Sequence, residues 1–143
     1  MPSATAASLL GGRRALQGDF ASRLRLIDLS RRGVTKGFLL RVARYLGLSV
    51  GQMAKLLPVT ERTIQRYDRE RRFTPAVSEQ ILQIAAVAAR GEDVLGGRQA
   101  FLAWMRSPNA ALGDRTPASL LGSRFGSEIV LDELGRIEHG IIS

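Results

Sequence analysis

The sequence predicts an all-α chain, and three observations carry that reading. Apolar residues recur at spacings of three and four, while no stretch of any length alternates at a spacing of two. Serine, threonine and Thr-Pro pairs stand where these runs begin, and glycines stand where several of them end. Within Val50–Arg69, two short helical patterns are separated by a proline, the residue pattern of a helix-turn-helix.

Residues 1–34 read as a basic arm carrying a short helix. Residues 1–18 are small, Gly-rich and free of acid, ending in Gly11-Gly12-Arg13-Arg14. A transit peptide has a similar composition, but a mobile basic arm is the expectation. Arg23, Arg25, Arg31 and Arg32 surround Leu24, Leu26, Ile27 and Leu29, a short helix ended by Gly33. Those arginines either reach phosphates or simply face solvent.

Residues 35–96 read as the DNA-binding domain. Lys36–Leu46 is an amphipathic helix with Leu39, Val42, Ala43 and Leu46 on one face and Gly47 as its stop. Ser49 caps the next helix, with Gln52 as its capping-box partner. Met53, Ala54 and Leu57 share one face of it, and the small Ala54 allows two helices to cross closely. Pro58 ends that helix and, after a three-residue pause, Thr60 caps the second. The second helix turns Ile64 and Tyr67 inward and Arg62, Gln65, Arg66 and Arg69 outward. A loop from Glu70 to Phe73 follows. Thr74 and Pro75 then open a long helix to about Ala89, with Val77, Ile81, Ile84, Ala85 and Ala88 as its stripe and Arg90-Gly91 as its end.

Residues 97–143 read as a second, smaller helical module. A helix from Gly97 to Arg106 carries Phe101, Leu102, Trp104 and Met105, with Trp104 expected in the core. Ser107-Pro108-Asn109 breaks the chain, and Thr116-Pro117 restarts it through Leu121. Gly122 and Gly126 bracket a turn. The last helix runs from Ser127 to His139, with Val130, Leu134 and Ile137 as its stripe, continued by Ile141.

Charge divides the chain. Of 143 residues with a net charge of +8, residues 1–73 carry 15 Lys/Arg against 5 Asp/Glu, and the remainder carry 6 against 8. A basic half followed by a mildly acidic half points to a polyanion-binding module joined to one with another task. Nearly all the cations are arginine, which suits phosphate forks and base edges. The candidate DNA contacts are therefore Thr60, Arg62, Thr63, Gln65, Arg66 and Arg69, since Arg and Gln can each bond base edges bidentately. A solvated face used only for packing is the alternative.

Catalysis finds no support. With no cysteine there is no thiol nucleophile, disulfide framework or Cys-based zinc site. His139 is the single histidine; beside Glu138, with Asp132 and Glu133 a turn or two earlier, it lacks a second ligand of its type. Gly96-Gly97 follows no strand and so is no nucleotide loop. No metal and no cofactor are expected. No uninterrupted apolar stretch approaches a membrane span, and the absence of cysteine fits a reducing cytoplasm. Two features of the end suggest a binding surface instead. Gly135 stands mid-helix, where Gly costs about 1 kcal/mol relative to Ala, and Gly140-Ile141-Ile142-Ser143 forms an apolar tail.

At these residues a family resemblance enters. Thr116-Pro117-Ala118-Ser119-Leu120-Leu121-Gly122 and Leu134-Gly135-Arg136-Ile137-Glu138-His139-Gly140 resemble the closing module of Xre/MbcA/ParS-type antitoxins. Trp104-Met105-Arg106-Ser107-Pro108-Asn109 resembles their W-[LM]-x-x-P-N element, and Thr63 and Arg66 fit the T-x-x-R order of their Xre/Cro-like half. The resemblance covers about residues 35–143. It implies the antitoxin of a bacterial type II toxin–antitoxin system, facing a RES-domain toxin that consumes NAD+ or transfers ADP-ribose from it. It further implies a homodimer that binds its operon's own operator DNA, and a C-terminal module that covers the toxin's active-site entrance. Carried over as toxin contacts are Arg136, Glu138, His139 and Gly140, with the tail Ile141, Ile142 and Ser143. Gly135 joins them as the site of close approach. Glu128 and Asp132 would meet a basic cleft built for an anionic dinucleotide, while Arg124 and Arg136 would need acidic partners on the toxin. The alternative is a stand-alone transcriptional regulator whose second module senses a ligand or dimerises, or a helical adaptor without a DNA role.

Overall fold

The computed structural model describes residues 20–140, with side chains from Arg23 onward, and all seven of its regular elements are α-helices. They are α1 (Phe20–Arg32), α2 (Lys36–Leu46), α3 (Val50–Ala54), α4 (Glu61–Arg66), α5 (Pro75–Leu95), α6 (Arg98–Arg106) and α7 (Arg124–Glu138). Short 3-10 turns at Ala110–Leu112 and Pro117–Leu120 link α6 to α7. Residues 1–19 and the tail Ile141–Ser143, with the expectations attached to them, lie outside the described residues.

Helix α5 is the axis of the fold. Thr74 accepts a hydrogen bond from the Val77 amide and Pro75 occupies the first turn, so the start falls where the Thr-Pro pair places it. The expected stripe is buried, but so are Ser78, Leu82, Val87, Ala89 and Gly91, which lie off it. Helices α1, α2, α6 and α7 all pack against α5, so nearly every side of it is covered. Burying each of Ile81, Leu82 and Ile84 contributes roughly 1.5–3 kcal/mol relative to exposure.

The end of α5 corrects the sequence reading. The helix passes through Arg90-Gly91 and stops at Leu95, where Gly96 takes a left-handed φ of 89° and returns its N–H to the Glu92 carbonyl. Gly91 serves another purpose. A Cβ there would fall 2.1 Å from Cδ1 of Phe101, so its absence lets the Phe101 ring lie against the helix backbone. Phe101 is fully buried as a result, and Trp104 lies partly buried against the same core.

The helix-turn-helix is held by local devices, most of which the sequence announced. Thr35 caps α2, the Ser49–Gln52 capping box closes on α3, and Thr60 caps α4. The connection is longer than three residues. Helix α3 ends at Ala54, and Leu56 and Leu57 continue it only through three-residue bonds to Met53 and Ala54. The residue before a proline avoids the α region, so Leu57 cannot extend the helix into Pro58. The tighter winding still buries Leu57.

Residues 69–73 return to the start of α2, with Gly37 N–H on the Arg69 carbonyl, Lys36 N–H on that of Arg71, and Phe73 N–H on that of Val34. The buried Ser78 hydroxyl accepts from the Val34 amide and donates to the Phe73 carbonyl, satisfying two groups that the loop would otherwise leave bare.

Helix α7 begins earlier than the sequence reading had it. Ser123 accepts from the Gly126 amide, so the helix opens at Arg124 and Gly126 lies in its first turn, not in a loop. A Cβ on Gly126 would stand 1.8 Å from the Leu120 carbonyl oxygen. Gly126 is therefore the point where α7 crosses the preceding turn in backbone contact. Val130 and Leu134 are fully buried, and Ile137 is half-buried.

Candidate functional site

The first candidate face is the outer side of α4. Thr60, Arg62, Gln65 and Arg66 are exposed on it, and Thr63 is half-buried. Ile64, fully buried, anchors the helix from beneath. Thr60 Oγ1 accepts from the Thr63 amide at 3.1 Å and donates to Thr63 Oγ1 at 3.0 Å, so these hydroxyls first serve to start the helix. Gln65 Nε2 donates to Glu61 one turn back at 3.2 Å, which holds its amide along the helix surface. Arg62 and Arg66 have no intrachain hydrogen bond or ion pair among the described residues and are free to meet an anion. Arg69 differs from the expectation. Helix α4 ends at Arg66 with Tyr67 as its cap, so Arg69 projects from the following loop, whose backbone carbonyl is tied to Gly37.

Several basic residues nearby are structural. Lys36 Nζ donates to the Tyr67 carbonyl at 2.7 Å, supplying a cation to the C-terminal end of α4. Arg72 donates to the Gly33 carbonyl at 2.6 Å, and the Arg71 guanidinium lies 4.5 Å from the Tyr67 ring centroid, itself stacked on Phe73.

The second candidate face is the outer side of α7. With Gly126, Ser127, Val130, Glu133 and Leu134 buried, helical spacing turns Phe125, Glu128, Asp132, Gly135 and His139 to the opposite side. Glu128, Asp132 and His139 are exposed, and nothing lies within 4 Å of the place a Gly135 Cβ would take. The mid-helix glycine therefore admits no approach from within the described chain, and close intrachain contact belongs to Gly91 and Gly126 instead.

The charged candidates are not equally available. Glu138 receives two hydrogen bonds from Arg90, at 2.5 and 2.7 Å, which tie the end of α7 to α5. That hydrogen-bonded guanidinium holds the Glu138 carboxyl below its ordinary range, and the carboxylate raises the Arg90 pKa in return. Arg136 donates to the largely buried Glu133 at 2.7 Å, and Arg124 pairs with Glu79 at 3.1 Å and Glu128 at 3.3 Å. Arg124 and Arg136 thus already have carboxylate partners in this chain and do not depend on acids supplied by another. Asp132 has no such partner among the described residues. His139 caps the helix, its ring largely exposed. Gly140 follows it in the left-handed region at φ 71°.

Two residues of this face went unnoticed in the sequence. Phe125 is 80% exposed and Ile129 is 47% exposed. Their signal was an apolar pair at i, i+4 lying off the Val130–Leu134 stripe.

The two faces belong to parts joined around Tyr45. Its hydroxyl donates to Glu92 at 2.5 Å, and burial, followed by this bond, pushes its pKa above the ordinary tyrosine range. Arg98, at the start of α6, lies over the Tyr45 ring and donates to the Tyr45 carbonyl at 2.8 Å, capping the end of α2 from across the fold.

Together these features define a class: an all-α protein in which a helix-turn-helix with free arginines is joined through one long helix to a second module with an exposed helical face. Known proteins narrow that class to a family. Residues 25–86 match the family described as the antitoxin Xre-like helix-turn-helix domain, and residues 90–140 match the antitoxin Xre/MbcA/ParS C-terminal toxin-binding domain. The chain belongs to this antitoxin family, with its helix-turn-helix and toxin-binding domains in tandem. It is similar to an antitoxin Xre of Yersinia enterocolitica, at 29% identity over 120 residues, covering 82% of this chain and 81% of the relative. An antitoxin Xre of Photorhabdus laumondii is 37% identical over 73 residues, 50% of this chain and 49% of that one. In fold, it is similar to a chain in the crystal structure of the Mycobacterium tuberculosis MbcT–MbcA toxin–antitoxin complex, with a TM-score of 0.55, 23% identity, and coverage of 73% and 94% of the two chains.

Proposed function

We propose that this antitoxin neutralises a RES-domain toxin that consumes NAD+ or transfers ADP-ribose from it, and that it represses its own operon as a homodimer. The observation that supports the toxin half most directly is the outward face of α7. It presents Glu128, Asp132 and His139 to solvent, with the half-buried Gly135 on the same side, within the segment matched to a toxin-binding domain, and Gly140 leads from it into the tail. Acidic and open, this face suits the rim of a cleft built for an anionic dinucleotide. Residues 97–143 are the module assigned to this task, with Gly135, Arg136, Glu138 and the tail Ile141–Ser143 among its contacts. Arg136 and Glu138 act there chiefly by shaping the helix end, given their partners Glu133 and Arg90.

The DNA half of the proposal assigns Arg62, Arg66 and Gln65 to the operator, with Thr60 and Thr63 setting the start of α4 and Arg69 reaching a phosphate from its loop. A dimer suits this role, because one such motif reads a single half-site. Co-expression with a cognate RES-domain toxin tests the main reading. The expected result is restored growth and NAD levels; toxicity that persists in the presence of the folded chain refutes it.

A further inference from the structure

We infer that Phe125 and Ile129 are the apolar anchors of the toxin interface, with Asp132 as the charge that orients it. The inference rests on the reading of residues 90–140 as toxin-binding and adds to it a contact at the opposite end of α7 from the tail. Among the described residues, four large apolar side chains are markedly exposed, and Phe125 is the most exposed of them at 80%. Ile129 lies one turn further along the same side, so the two form a single patch. Neither side chain is needed to build the fold, since α7 is already held to α5 by Val130 and Leu134. An aromatic residue left in water beside a second apolar residue, ringed by polar groups, has the composition of an interface core.

Charge decides the occupant. Beside Phe125, the Arg124 guanidinium is shared between Glu79 and Glu128, and beside Ile129 the Asp132 carboxylate has no partner among the described residues. Arg136 on the flank is balanced by Glu133. The patch is therefore apolar with an acidic surround. A second copy meeting it face to face would bring two such acidic surrounds together, and like charges at close range oppose such pairing. A partner with an apolar socket and a basic rim is complementary. A toxin whose cleft receives an anionic dinucleotide offers that rim.

The test uses the whole chain and a cognate RES-domain toxin, with affinity measured by calorimetry. Phe125→Ser should weaken binding about 30-fold, the scale of an interface hot spot, and Phe125→Ser with Ile129→Ser should weaken it further. Asp132→Lys should slow association and reverse its dependence on salt. Thermal stability and operator affinity should stay at wild-type values, because the altered side chains are exposed and belong to α7, not to α4. Wild-type toxin affinity in the double variant, while removal of Ile141–Ser143 releases the toxin, overturns the inference and leaves the antitoxin reading standing. A change in the free chain's oligomeric state with toxin affinity intact overturns it in favour of a second copy. No binding of the RES-domain protein by the unaltered chain overturns both.

Discussion

Replacing Gly126 by alanine isolates the contact that sets α7 in place. The substitution is favourable locally, since alanine in a helix gains about 1 kcal/mol over glycine. The tertiary term opposes it. The new methyl would stand 1.8 Å from the Leu120 carbonyl oxygen, 2.7 Å from its carbon and 3.1 Å from its Cα. These atoms are backbone, so relief requires the Pro117–Leu120 turn and α7 to separate by more than about 1 Å. Overpacking of this kind costs roughly 1–3 kcal/mol where side chains can yield, and backbone yields less easily than a side chain. A net loss of about 2 kcal/mol follows. For a chain of this size that lowers the melting temperature by roughly 8 °C. Gly135→Ala is the matched control: the same chemistry in the same helix, with nothing within 4 Å. It should raise stability by up to about 1 kcal/mol. Thermal and urea unfolding followed by circular dichroism measure both. A Gly126→Ala protein as stable as wild type would refute the assignment of Gly126 to close backbone approach.

Three further expectations concern the two faces. Arg62→Ala and Arg66→Ala should each weaken operator binding, and removing an arginine that grips a phosphate should reduce the salt slope by about one; unchanged affinity in both removes α4 from the DNA. Gly135→Leu, or deletion of Ile141–Ser143, should release the toxin while operator affinity persists, a result read by co-purification and gel shift on the same protein. The Arg90–Glu138 bridge should make the end of α7 acid-sensitive. Because the Glu138 carboxyl is held below its ordinary range in the folded chain, its contribution is present above that range and is lost as pH falls through the depressed value. Hydrogen exchange at the last turn of α7 should therefore rise in acid, and Glu138→Gln should make it high at neutral pH as well.

The caps were the most legible part of the sequence. Ser49 with Gln52, Thr60, and Thr74 with Pro75 start their helices where residue type and spacing place them, because a cap acts within four residues and needs nothing remote. The glycines were legible only in part. Gly47 and Gly96 end helices, but Gly91 and Gly126 lie within them, because Phe101 and the Leu120 carbonyl need the room. Nothing beside either glycine in the sequence reveals that need.

The candidate faces divide in the same way. Helical spacing alone turned Arg62 and Arg66 outward, and the structure leaves both without an intrachain partner among the described residues. The carboxylates of Glu79, Glu133 and Glu138 lie beside Arg124, Arg136 and Arg90 through packing of α7 on α5 and through local helix turns, which changes which charges remain available. Phe125 and Ile129 required the buried face of α7 to be known before their exposure had meaning.

The sequence by itself thus determined the helices, several of their caps, the basic outer face of α4 and the family likeness, since each rests on short-range chemistry or on a local motif. Only the tertiary structure decided where α5 ends, which glycines permit contact, which arginines are already paired, and which apolar groups are left in water. Those are properties of surfaces brought together from distant parts of the chain, and helical periodicity says which face a residue occupies but not what will cover it.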